Sequence, residues 1–505
     1  MCQFCGVDPA FASFFDKDSS ADKNAATTTA GSHESLNFFR LKPDHPRYTK
    51  LTTPQLTTFA SKLSSTSKVL VPHQGEVFEK AAQRWSKQAI RTPLAIIQVT
   101  CAEDILKAIT LATSHEIEFV VKGGGHSPSG ASNIENGLVI DLSLMRQVSV
   151  KPEEKLAIVD GGCLFGDVLK ATAEYGLCAV GGTTSHVGVG GLSLSGGYGY
   201  LTGEYGLAVD NIVGAQVVTS DGQILWVNEN EHSDLFWGIR GAGNRLAVVV
   251  KFIFQLHPIR QVWGGVIKYK INDQLPTLIT AINEWYDKKD VKASIGMVLD
   301  KDAIILFPFY NGSQEEAEKN FATLLQLEDN TLIIEKDVSV MPFWKINTLS
   351  DHPGAFSGAF IEFASANIAP PLQVDHIQSI IDAFKQFSTN LFPTNDCGTG
   401  CYILLIQPNG IRQHQPTDMA FPHRDDHFDV GCLTTWQQPD QAQGVKTWLH
   451  QTLQPLICSK GDSNRLYSNH SDFKGPASKE FGINYNRIKE LKEKWDPNDV
   501  FRSLL

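Results

Sequence analysis

The amino-acid sequence predicts an α+β fold in two domains, on three observations. The chain has 505 residues, more than a single hydrophobic core usually organises. In its first half, short apolar runs that end in glycine-rich stretches alternate with a segment of helical period. After His257-Pro258 the pattern changes to longer runs of strand character with helical segments between them.

The elements follow in order. Residues 1–67 form an extension, and residues 16–35, rich in Ser, Ala, Thr, Asp and Lys, read as a disordered linker. Regular structure begins at Val69-Leu70-Val71-Pro72. Residues 96–99 read as a strand, residues 102–113 as a helix with Ile105, Ile109 and Ala112 on one face, and residues 119–121 as the next strand. Residues 212–218 form a strand that turns at Asp221-Gly222 into a hairpin. Beyond residue 260, strands are expected at 262–269, 303–310, 401–406 and 431–436, and helices at 315–327 and 374–387.

Composition excludes several classes of function. With 42% hydrophobic residues a core is available, and 44 basic against 55 acidic residues leave a net charge of −11. Neither nucleic acid nor an anionic membrane surface is expected as a partner of such a chain, and no apolar run reaches the length of a membrane span. The N-terminus lacks a basic n-region and an apolar h-region, so a cytoplasmic location is expected. Nine cysteines stand at 2, 5, 101, 163, 178, 397, 401, 432 and 458, and in an unexported chain most stay reduced. Cys2-x-x-Cys5 is half of a zinc pattern without a second half, so no metal site is expected. Cys397 and Cys401 are spaced for a local disulfide, with two reduced thiols the favoured alternative.

Three glycine-rich segments carry the chemistry. The first, Lys122-Gly123-Gly124-Gly125-His126-Ser127-Pro128-Ser129-Gly130, leads out of an apolar strand. Its glycines let backbone N–H groups approach an anion and take positive φ, which suits a phosphate cradle. Phosphate binding alone has no use for the imidazole, and a turn with an incidental histidine is the alternative. The second segment spans residues 181–201, too long for one turn, and continues through Glu204-Tyr205-Gly206-Leu207-Ala208-Val209-Asp210-Asn211. The third is Asp234-Leu235-Phe236-Trp237-Gly238-Ile239-Arg240-Gly241-Ala242-Gly243-Asn244. Together they suggest an extended ligand with a diphosphate at its middle. Neither the P-loop ending nor the strand–GxGxxG–helix fingerprint is present.

In this order the segments resemble the flavin-binding domain of the vanillyl-alcohol oxidase and p-cresol methylhydroxylase superfamily, and more narrowly the berberine-bridge-enzyme-like FAD oxidases. The likeness covers roughly residues 68–260. It resumes near the C-terminus, where Asn484-Tyr485-Asn486-Arg487 leads into Trp495-Asp496-Pro497-Asn498-Asp499. The resemblance implies a two-part FAD-binding domain of the p-cresol methylhydroxylase type, residues 68–260 with 461–505, and a substrate domain, residues 261–460, whose antiparallel sheet roofs the flavin and is backed by helices. It also implies FAD bonded covalently through its 8α-methyl to His126. Gly123, Gly124, Gly125, Ser127, Gly188, Gly190 and Gly191 would cradle the diphosphate. Lys122, Thr184, Ser185, Gly197, Asn211 and Tyr485 would complete the cofactor site. Doubly tethered relatives carry a cysteine where Thr184 stands, so a single tether is expected.

The family's Tyr-x-Asn-Tyr element reads Tyr467-Ser468-Asn469-His470 here. A histidine at its end can take a proton at neutral pH without the strong pKa lowering that a phenol needs, which makes His470 the candidate base. Tyr467 and the strand residues Cys432 and Thr434 are the rivals, since alternation turns Cys432, Thr434 and Trp436 to one face. Val187 matches the position where relatives with valine tend to be oxidases and those with leucine dehydrogenases. The expected function is an FAD-dependent oxidase that removes a hydride from a small hydroxylated or amine-bearing metabolite and reduces O₂ to H₂O₂. A dehydrogenase with another acceptor, or a flavin-binding cyclase without net redox turnover, are the alternatives.

Overall fold

The first sheet is built from four short apolar runs. β1 (Lys68–Leu70), β2 (Ala95–Gln98), β3 (Phe119–Lys122) and β4 (Leu138–Asp141) lie in the order β1-β2-β4-β3. The computed structural model describes residues 51–259, 261–271, 273–288, 290–327, 332–351, 359–393, 397–462, 465–470 and 477–501. The predicted linker at 16–35, Cys2 and Cys5 lie outside the described residues. β4 pairs in parallel with both β2 and β3, and a parallel pair needs a crossover. Helix Ala102–Ser114 provides one between β2 and β3, burying Ile105, Ala108, Ile109 and Ala112.

The second sheet is antiparallel. β5 (Val148–Lys151) and β6 (Leu156–Asp160) lie at one edge, β7 (Leu177–Ala179) adds to the far end of the long central strand, and β8 (Ile212–Val218) and β9 (Ile224–Val227) close the other edge. The central strand is β10 (Val248–Pro258), in the order β5-β6-β10-β8-β9. The β8–β9 hairpin turns where the sequence predicts it, with Gly222 at φ +87°.

The third sheet has seven strands: β11 (Val262–Lys270), β12 (Ala293–Leu299), β13 (Ala303–Asn311), β14 (Ile333–Met341), β15 (Phe360–Ile368), β16 (Cys397–Ile406) and β17 (Phe428–Trp436). Their order is β14-β11-β13-β12-β16-β17-β15, antiparallel throughout. Alternation divides the side chains between two faces. On one face Met297, Leu306, Ile403 and Cys432 pack against helices Leu275–Tyr286 and Val374–Gln386. On the other, Val298, Phe307, Leu404 and Leu433 face a cavity. The chain is thus α+β, and among the described residues no helix is long and apolar enough to cross a membrane.

One local expectation needs correction. The helix predicted over 315–327 is two shorter ones, Gln314–Asn320 and Ala322–Leu325. Phe321 breaks them because its ring is wholly buried between Trp263 and Trp285, with centroids 5.4 and 5.6 Å away. Cys401 is a reduced thiol buried inside β16, so no local bridge to Cys397 forms, in line with the favoured alternative.

The Tyr205–Asn211 stretch is anchored by a buried ion pair. Arg424 donates through both terminal nitrogens to Asp210, each at 2.8 Å, with side chains 3% and 2% exposed. Removing one partner strands a buried charge, which typically costs about 3–5 kcal/mol. Arg424→Ala should lower the urea midpoint on that scale, whereas a midpoint within error of the parent would show that the pair contributes no net stability.

Candidate active site

A cavity of about 2240 Å³ runs from the gap between the first two sheets to the open face of the third. That exceeds the roughly 300–1,000 Å³ of an ordinary small-molecule pocket and is long enough for a dinucleotide and a second ligand. Its waist is set by two glycine loops. β3 ends at Lys122 and the chain turns through Gly123, Gly124 and Gly125, the last at φ +71°. A Cβ on Gly124 would stand 2.6 Å from the Gly188 backbone, and one on Gly188 would stand 2.5 Å from the Gly124 nitrogen. The loops therefore touch backbone to backbone, which only glycine permits.

The second loop is held from both sides. The N–H groups of Phe165 and Gly166 donate to the carbonyls of Val187 at 3.0 Å and Ser185 at 2.8 Å. Opposite them lies the segment after helix Phe343–Ile346, where Asn347 Nδ2 donates to the Gly182 carbonyl at 2.5 Å and Ser350 Oγ to that of Thr183 at 2.9 Å. Asp351 accepts from the Ser185 N–H at 3.1 Å and from its hydroxyl.

These contacts bring two histidines together. His126 Nε2 and His186 Nδ1 are 3.1 Å apart, and His186 Nε2 is 3.6 Å from Asp351 Oδ1. Trp85 stacks on the other face of the His126 ring, centroids 4.3 Å apart at 16°. Loss of hydration, reinforced by the neighbouring His186, holds the His126 pKa down to about 3, so the ring is neutral, although its edge is open to the cavity.

At the roof, alternation along β17 points Asp429, Gly431, Leu433 and Thr435 into the cavity. Cys432, Thr434 and Trp436 share a face, as predicted, but it is the opposite face. Cys432 and Trp436 are in the core against the helices and Thr434 is wholly buried, so the two rival strand residues are remote from any cofactor. His470 rests on Gly431, whose Cβ would meet its ring at 3.3 Å. His470 Nδ1 lies 3.2 Å from Asp429 Oδ2, off the line of a hydrogen bond. Tyr467 is buried, and its hydroxyl accepts from the Gly197 N–H at 3.1 Å and from Asn469 Nδ2 at 2.8 Å. Burial, with the Asp429 charge nearby, pushes its phenol above the ordinary value, which disfavours it as a base at neutral pH.

Most of the predicted site residues meet here. Gly123, Gly124, Gly125, His126 and Ser127 line the cavity from the first loop, and Thr184, Val187, Gly188, Gly190 and Gly191 from the second. Tyr467 and His470 line it from the C-terminal stretch. Five others lie outside the cavity wall, because the chain itself uses their polar groups or buries them. Lys122 Nζ turns back to Asp141, its register partner on β4, at 3.2 Å. Ser185 is bonded to Asp351, and Gly197 to Tyr467. Asn211 donates to the carbonyls of Tyr205 at 2.9 Å and Leu207 at 2.8 Å and contacts His257 Nε2 at 2.6 Å. Tyr485 opens helix Tyr485–Trp495 and packs on the second-sheet core.

Sequence reasoning missed Trp85, His186, Phe363, Asp351 and Asp429. His186 and Asp429 left a signal: one is a second imidazole inside a glycine loop, the other a lone charge in an apolar strand. Trp85, Phe363 and Asp351 left none, because only the fold brings them near His126, His470 and His186.

A dinucleotide-sized cavity with glycine loops at its waist and an antiparallel roof defines a flavin-dependent oxidoreductase. The chain matches the FAD binding domain family model over residues 93–228 and the berberine and berberine-like model over residues 467–504. It is 31% identical over 458 residues to (R)-6-hydroxynicotine oxidase of Paenarthrobacter nicotinovorans, covering 88% of this chain and 97% of that protein. The crystal structure of 6-hydroxy-D-nicotine oxidase from Arthrobacter nicotinovorans superposes with a TM-score of 0.76 at 26% identity, over 88% of this chain and 98% of that one. Glucooligosaccharide oxidase from Acremonium strictum, described with a 6-S-cysteinyl, 8α-N1-histidyl FAD, shares the fold at 20% identity and a TM-score of 0.75, over 89% and 98%. The chain belongs to the berberine-bridge-enzyme-like family of FAD-linked oxidoreductases.

The glycine contact gives a steric prediction. Gly188→Ala places a methyl group against the Gly124 backbone, and overpacking of this kind costs about 1–3 kcal/mol, equivalent to roughly 5- to 150-fold in affinity. The purified variant should carry substoichiometric FAD, measured by absorbance after equilibration with a limiting FAD concentration that fully loads the parent. A fully loaded Gly188→Ala protein would mean that the loops separate at little cost.

Proposed function

We propose that this chain is an oxidase that carries FAD covalently on His126, removes a hydride from a small hydroxylated or amine-bearing metabolite, and passes the electrons to O₂ with formation of H₂O₂. The observation that carries this reading is that His126 and the His470–Asp429 pair line one cavity, the first beside the glycine loops and the second under the roof. When bound, FAD supplies the hydride acceptor. The second glycine loop fits its diphosphate, because Gly191 lines the cavity and no atom stands within 4 Å of where its Cβ would be, which leaves the backbone open to an anion. Thr184 lines the cavity where doubly tethered relatives have cysteine, and a hydroxyl forms no thioether, so His126 is the single tether.

The chain's own residues handle the substrate proton. Asp429, next to Nδ1 of His470, orients the ring and balances the charge it acquires, leaving Nε2 for the substrate. Phe307, Phe363 and Leu433 make the surrounding wall apolar, which favours a substrate with an apolar body and one proton-bearing polar group. The 6-hydroxynicotine oxidase relative supports a substrate of this size and kind.

Anaerobic mixing with panels of alcohols, amines and phenolic metabolites should bleach the flavin with one class, and admission of air should restore the colour with stoichiometric H₂O₂. Reduced enzyme that persists for minutes in air would make the protein a dehydrogenase, and a product isomeric with substrate would make it a cyclase. Proton removal by a positioned base is worth about 10²- to 10⁴-fold, so His470→Ala should slow anaerobic flavin reduction by that factor with FAD content unchanged. A variant within about threefold of the parent, below the range for a positioned base, would remove His470 from that role. Val187→Leu, which adds bulk beside the ring, should slow reoxidation by O₂ far more than reduction by substrate. Equal effects on both half-reactions would show that this side chain does not control oxygen access.

A further inference from the structure

The pair of histidines at the glycine waist has no part in the substrate chemistry, yet it is built with the geometry of a proton relay. His126 Nε2 faces His186 Nδ1 at 3.1 Å. His186 Nε2 in turn faces the Asp351 carboxylate at 3.6 Å. Asp351 is fixed by the Ser185 N–H at 3.1 Å and by the Ser185 hydroxyl. A nucleophile, a base within hydrogen-bond reach, and a carboxylate that orients the base are the parts of an activated nucleophile.

We infer that His186, oriented by Asp351, is the base that takes the proton of His126 as it bonds to the flavin. This rests on the covalent reading given above. The carboxylate favours the His186 tautomer with its proton on Nε2, leaving Nδ1 as an acceptor. His126 then carries its own proton on Nε2, which leaves the lone pair on Nδ1 to attack. The low pKa of His126 keeps that lone pair available. The 8α-methyl loses a proton to solvent as its C–H bond breaks, the bond from Nδ1 to that carbon forms, and the Nε2 proton passes to His186. The His186 ring is 40% exposed, so water can remove that proton. The two electrons of the broken C–H bond enter the isoalloxazine ring, and dioxygen takes them up with two protons to give one H₂O₂ for each tether formed.

Full-length parent, His186→Ala, His186→Gln and Asp351→Asn proteins are incubated with FAD in air, sampled over time and precipitated with acid, and the flavin left in the pellet is measured. Parent protein should retain its flavin. His186→Ala should bind FAD that acid releases, with attachment slowed by about 100-fold or more, the range of a lost general base. Free imidazole should restore part of that rate, which a purely structural role for His186 would not allow. His186→Gln, which keeps a hydrogen-bond acceptor but cannot take a proton, should be as slow as the alanine variant, and Asp351→Asn should be slowed less. Attachment at the parental rate in either His186 variant overturns the proposal while leaving the covalent reading intact. Parent protein that releases its FAD into acid overturns both.

Discussion

The approach of Gly124 to Gly188 is the constraint from which the rest of the site follows. With less than 3 Å available to a side-chain carbon on either residue, the two loops pack as bare backbone. That contact fixes where the next residues of each loop emerge. His126 follows Gly124 by two positions and His186 precedes Gly188 by two, so the close approach places both imidazoles on the same side, near enough to touch. The glycines thus set the relation between His126 and its only imidazole neighbour within hydrogen-bond distance among the described residues.

A second constraint acts from the roof. Asn347, Ser350 and Asp351 reach down from the chain that follows β14 and take hold of Gly182, Thr183 and Ser185 in turn. The second glycine loop is therefore clamped between the start of helix Phe165–Ala173 and a segment belonging to the seven-stranded sheet. Cofactor loop and roof cannot move independently at this point. The cost of ordering an otherwise glycine-rich, high-entropy stretch is offset by hydrogen bonds from both sides.

Much of the cofactor half was legible in the sequence because its determinants are local. A run of glycines after a β-branched strand, a histidine within it and a second run sixty residues later are all visible without knowing the fold. The functional assignments made from those runs were less even. Lys122, Ser185, Gly197, Asn211 and Tyr485 lie outside the cavity wall, since a motif records which residues recur but not whether a polar group points at ligand or at its own chain. The roof was legible only to a period of two. Alternation correctly grouped Cys432, Thr434 and Trp436, but the choice of face depends on which side meets the helices, and that is decided by Trp285, Phe384 and Phe387, from helices far off in sequence. Trp436 and Cys432 are the more apolar set and went to the helices. Asp429, Gly431, Leu433 and Thr435 were left for the cavity.

That division sets the surroundings of the Tyr467-Ser468-Asn469-His470 element. A buried carboxylate at 429 stands close to two phenols, Tyr198 and Tyr467, and burial with its negative charge raises both above their ordinary values. A tyrosine at the end of the Tyr467-Ser468-Asn469-His470 element would have to ionise against the same charge. A histidine stands there instead, its Nδ1 3.2 Å from the same carboxylate. Asp429 thus opposes ionisation of the phenols around it, and the element ends in an imidazole. A carboxylate on the cavity face of β17 and a histidine in place of the family's tyrosine form one electrostatic solution.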